Sequence, residues 1–79
     1  MDTALAFGKV LRSMRQDAGL TQEQLGLEAD LRRTYISILE LGQQQPSLTT
    51  IFKIAKALNC SAQQIIANVE FEMKRKKRA

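Results

Sequence analysis

With 79 residues and 44% apolar side chains, the chain has room for one small core, so stability has to come from short connections or from a second copy. The net charge of +4 sits at one end: Lys74, Arg75, Lys76, Lys77 and Arg78 are five of the twelve cations, and without them the balance falls from +4 to −1. No apolar run approaches a membrane span and no secretory leader is expected, while the lone Cys60 excludes an intrachain disulfide and fits a reducing cytoplasm.

Catalysis finds no support in the residue types. The chain lacks His and has one Cys, and it carries neither a phosphate-binding glycine loop nor a dinucleotide fingerprint. No enzyme activity, metal, cofactor or small-molecule ligand is expected. Cys60 reads as a small apolar filler near a helix end.

The first helix is expected over residues 3–18. Phe7, Val10, Leu11 and Met14 recur at i, i+3, i+4 and i+7, an amphipathic stripe. Asp2 or Thr3 caps its start and Gly19 ends it, with Arg12 a solvated charge on the polar side. Thr21 and Gln24 form a capping box that opens a second helix, about Gln22 to Ala29, whose Leu25 and Ala29 face inward. Asp30 follows, a residue that tolerates the left-handed backbone of a sharp turn. A third helix, about Arg33 to Leu41, turns Ile36 and Leu39 inward and leaves Arg33, Thr34 and Ser37 outward, and Gly42 closes it. Tyr35 either packs or offers its hydroxyl outward. Two short helices at this spacing, the second showing small polar side chains from its first turns, suit a helix-turn-helix over residues 21–42.

Ser47 caps a fourth helix with the stripe Leu48, Ile51, Phe52, Ala55 and Leu58, and with Ile54 beside it. Asn59 terminates it. Ser61 and Gln64 make a second capping box and open a fifth helix, about residues 62–73. Ile65, Ile66, Val69 and Met73 keep to one side of it, and Phe71 falls on another. So small a domain has little core left for so many apolar groups, and Ile66, Val69, Phe71 and Met73 are expected to contribute to a homodimer interface. The expected fold is all-α, a compact five-helix bundle spanning residues 1–73, followed by a basic tail, 74–79. That tail is either a solvated end or a strap along a polyanion.

The helix-turn-helix segment resembles that of the XRE family, which includes the lambdoid phage repressors and Cro. The resemblance extends upstream through LRSMRQDAGLTQEQL and downstream through PSLTTIFKIAKALNCS, and covers about residues 7–66. Gly26, Asp30, Ile36 and Leu39 fall where that pattern needs close approach, a turn and core. The resemblance implies a lambda-repressor-like DNA-binding fold. It also implies a homodimer on double-stranded DNA, setting two recognition helices roughly 34 Å apart on a palindromic operator. The absence of a ligand domain and the RTYIS segment are similar to stand-alone regulators, either phage repressors or the controllers of restriction–modification systems.

On that reading, the third helix enters the major groove. Arg33 is the bidentate reader of guanine, Thr34 and Ser37 bond base edges or phosphates, and Ile38 meets a thymine methyl. Gln22, Arg32 and Tyr35 are expected at phosphates or in positioning roles. Gln43 and Gln44 join them, uncharged where the family often supplies Lys or Arg, and Leu41 is another departure. Arg32 stands where a capping Ser or Thr is common. Glu40 ends the third helix, where the macrodipole disfavours an acid, and by resemblance Arg15 of the first helix pairs with it. Repression, autoregulation included, needs only occlusion of a promoter, whereas activation adds a contact to RNA polymerase. The alternative is a protein-interaction module, antitoxin-like or polymerase-binding, with DNA secondary.

Overall fold

Local signals place five helices in the computed structural model, which describes residues 2–76: α1 (Thr3–Asp17), α2 (Gln22–Ala29), α3 (Arg33–Glu40), α4 (Leu48–Ala57) and α5 (Ala62–Lys76). No strand occurs among the described residues. The starts are chemically marked. Asp2 Oδ1 accepts from the Ala4 N–H at 3.0 Å, Ser47 Oγ from the Thr50 N–H at 3.1 Å and Ser61 Oγ from the Gln64 N–H at 3.0 Å. The Thr21–Gln24 box closes in both directions, at 3.0 and 2.9 Å. Each cap satisfies an N–H that the helix itself cannot.

The largest sealed side chains come from every helix: Leu11 of α1, Leu25 of α2, Ile36 and Leu39 of α3, Ile54 of α4 and Ile65 of α5. Around them α1 packs on α3 and α5, α2 on α3 and α4, and α4 on α5. The Cα radius of gyration, 11.6 Å, equals the roughly 11.6 Å that the scaling for compact chains gives at this length. An extended coiled coil is thereby excluded.

Two expectations about apolar faces change. Leu48 and Phe52 are not in the α4 core stripe: both point outward, and the buried set is Thr50, Ile51, Ile54 and Ala55. Apolar residues ring most of α4, so helical periodicity could not choose the inner face; the neighbours α2 and α5 chose it. Val69 is the second correction. It lies in the protomer's own core, and Met73 packs half-buried against that core. Because α5 rests on both α1 and α4, Ile65, Val69 and Met73, four apart, are taken up within the chain. Of the four residues assigned to a dimer interface, only Ile66 and Phe71 stand exposed.

α5 is also longer than expected and runs into the basic segment as far as Lys76. Arg75 bonds Glu72 one turn back at 3.2 Å, and cations suit a helix C-terminus. Residues 77–79 of the expected tail lie outside the described residues.

Candidate nucleic-acid interface

The turn between α2 and α3 explains the residues found there. Asp30 takes the left-handed conformation, φ 58° and ψ 48°, and reverses the chain within three residues. Its N–H and that of Leu31 converge on the Gly26 carbonyl, the latter at 2.8 Å. A side chain at position 26 would place its Cβ 2.6 Å from the Leu31 oxygen, so only glycine lets the turn fold back on α2.

α3 divides cleanly between two environments. Ile36 and Leu39 are sealed in the core, and Tyr35 is half-buried against it. Arg32, Arg33 and Thr34 are exposed, and Ser37 and Ile38 are half-buried. Thr34, Ser37, Ile38 and the exposed Leu41 follow one another at i, i+3, i+4 and i+7, so they share the outer face, with Arg33 one turn before Ser37. Arg32 occupies the cap position of α3 with extended backbone and makes no side-chain cap bond. Gln43 and Gln44 are exposed in the turn after α3.

The Tyr35 hydroxyl lies 3.4 Å from Thr50 Oγ1, which also receives a hydrogen bond from Ser47 Oγ at 3.0 Å. This row of hydroxyls ties α3 to the start of α4 and accounts for Thr50, a buried polar residue that the sequence did not single out.

Arg15 and Glu40 meet as the resemblance implied. Arg15 Nε donates to Glu40 Oε2 at 2.6 Å and its Nη2 to Oε1 at 3.1 Å; the side chains are 11% and 4% exposed. Arg15 Nη1 also donates to the Leu20 carbonyl at 2.8 Å. The hydrogen bond to Glu40 pushes the Arg15 pKa above its ordinary value, burial pulls it back, and the charge of Glu40 adds to the rise. The guanidinium therefore stays cationic at any physiological pH. The same pair has a third member. Gln22, expected at DNA, donates from Nε2 to Glu40 Oε1 at 3.1 Å.

Gly8 is a further residue that sequence reading passed over. A Cβ there would stand 2.5 Å from the Leu39 oxygen and 2.6 Å from that of Glu40, so α1 and the end of α3 touch backbone to backbone. A lone glycine inside an amphipathic stripe was the available signal. At the opposite end of the chain, burial raises the pKa of Cys60 and keeps it a neutral thiol. Among the described residues no cluster of His, Cys, Asp and Glu is arranged to hold a metal, and no helix is long and apolar enough to cross a membrane.

Residues 11–65 match the protein-family profile described as Helix-turn-helix. The control protein C.BamHI of Bacillus amyloliquefaciens is 41% identical over 63 residues, which cover 78% of this chain and 78% of that one. The restriction-modification controller protein C.AhdI from Aeromonas hydrophila has a solved structure that superposes with a TM-score of 0.76 at 37% identity, covering 78% of this chain and 94% of that one. The clp gene regulator ClgR from C. glutamicum is similar with a TM-score of 0.84 at 28% identity, over 90% of this chain and 92% of that one.

Proposed function

From the premise that this chain belongs to the XRE-type helix-turn-helix family, we propose that it is a transcriptional regulator that binds DNA sequence-specifically with α3 in the major groove. The observation that carries this reading is the division of α3. One face is sealed in the core, and the other presents Arg33 and Thr34 exposed with Ser37 and Ile38 half-buried beside them. Arg33 has the planar fork that guanine accepts twice, the two hydroxyls reach base edges or phosphates, and Ile38 meets a thymine methyl. Arg32, Tyr35, Gln43 and Gln44 flank that face as phosphate or positioning contacts, and Gln22 approaches from the start of α2.

One such module buries too little surface for firm specificity, and pairing two of them doubles it. The protein acts as a homodimer on a short inverted repeat, with Ile66 and Phe71 supplying exposed apolar surface for the contact between copies. Occlusion of a promoter makes it a repressor. The likeness to control proteins supports a role in restriction–modification, with its own promoter among the targets and a polymerase contact if it also activates.

The experiment is selection of bound duplexes from a random pool by the purified chain at moderate salt. Enrichment of one short inverted repeat is expected. Equal retention of every duplex would overturn the reading and favour protein interaction as the main role.

A further inference from the structure

Gln22 opens α2 and Glu40 closes α3, yet their side chains are joined. A carboxylate held by a guanidinium can only accept hydrogen bonds. The Gln22 carboxamide must therefore turn its NH2 end toward Glu40, which removes the end-over-end ambiguity that a free amide has. One N–H goes to Glu40, and among the described residues nothing bonds the second N–H or the carbonyl oxygen that the amide still has to offer, on a side chain that is only half-buried. Arg15 meanwhile neutralises Glu40 through two bonds, so the anchor places no net charge beside a polyanion.

We infer that Glu40 is a positioning residue for DNA recognition, acting through Gln22. It fixes the Gln22 amide so that the remaining N–H meets an acceptor oxygen or nitrogen of the duplex without first losing rotamer freedom. The inference rests on the proposed DNA binding and adds a role for a buried ion pair that would otherwise serve the fold alone.

The test uses the full chain and a labelled duplex carrying the sequence that the wild-type protein enriches from a random pool. Replacing the ion pair as a unit, Arg15→Met with Glu40→Leu, leaves no uncompensated buried charge and removes the anchor of Gln22. Binding is expected to weaken about threefold to tenfold, the cost of ordering one freed side chain on binding. In a Gln22→Met background the same replacement is expected to change affinity less than about twofold, whereas its effect on melting temperature persists in both backgrounds. An even loss across duplex sequences identifies a phosphate oxygen as the acceptor, and a loss confined to one position identifies a base edge. If the paired replacement does not fold, Glu40→Gln goes through the same comparison, since it keeps an oxygen for Arg15 and no longer dictates the amide's direction. Equal losses with and without Gln22, or no loss at all, overturn the inference while leaving DNA binding intact. If the wild-type chain enriches no sequence, both proposals fall.

Discussion

Gly8 of α1 and Leu39 of α3 approach so closely that a methyl group on the first would stand 2.5 Å from the carbonyl oxygen of the second. Backbone cannot yield as a flexible side chain does, so Gly8→Ala is expected to destabilise the fold by about 1–3 kcal/mol, the cost of overpacking. Gly26→Ala, 2.6 Å from the Leu31 oxygen, should behave alike. Gly19 is the control: it has φ +74° with no atom in the way, and Gly19→Ala should cost about 1 kcal/mol from backbone conformation alone. Urea melts of the three variants separate crowding from torsion.

Breaking the Arg15–Glu40 pair by Glu40→Ala leaves a guanidinium in a site where its side chain is 11% exposed. A loss of about 3 kcal/mol is expected, partly recovered when Arg15→Met is added. The pair also sets a pH expectation. The folded pKa of Arg15 is raised, so its contribution is complete below the unfolded pKa and is lost only as pH climbs through the folded one, in strong alkali. The difference in stability between wild type and the paired replacement Arg15→Met with Glu40→Leu, which leaves no unpaired buried charge, should therefore stay flat from about pH 6 to about pH 10. Paired melts across that range check it.

Arg33 is exposed and takes no part in the core. Arg33→Ala should leave the melting temperature within a degree or two, cost about 1–3 kcal/mol of operator binding and relax selectivity at one base pair per half-site. Repeating the selection with the variant measures this. An equal loss on all sequences would make Arg33 a phosphate contact.

Exposure separates the roles of the α5 residues. Ile66 and Phe71 are 44% and 68% exposed, against 6% for Val69. Ile66→Ser with Phe71→Ser is expected to shift sedimentation at micromolar concentration toward the monomer with little change in stability. Val69→Ser should cost about 2–4 kcal/mol, from the lost cavity contacts and the buried hydroxyl. A wild-type chain that sediments as a monomer would remove dimerisation from the proposal.

Caps, turns and periods made most of the architecture legible. The Thr21–Gln24 box, the left-handed Asp30 and the Ser47 cap are local devices whose hydrogen bonds span a few residues, and they stand in the structure as their spacing implies. The outward Arg33 and Thr34 and the inward Ile36 and Leu39 followed from one helical repeat. Leu48 and Phe52 were misread because α4 offers more than one apolar stripe, and periodicity has no means to rank them.

Local sequence alone settled where each helix begins and which side of α3 faces away from the core, because those choices rest on neighbours three or four positions apart; it did not settle where α5 ends, at Lys76. Tertiary structure decided that Val69 belongs to the protomer, that Gly8 is a contact between backbones and that Gln22 is held by Glu40. Each of these depends on two helices distant in the chain being brought within a few ångströms, and only the assembled core fixes that distance.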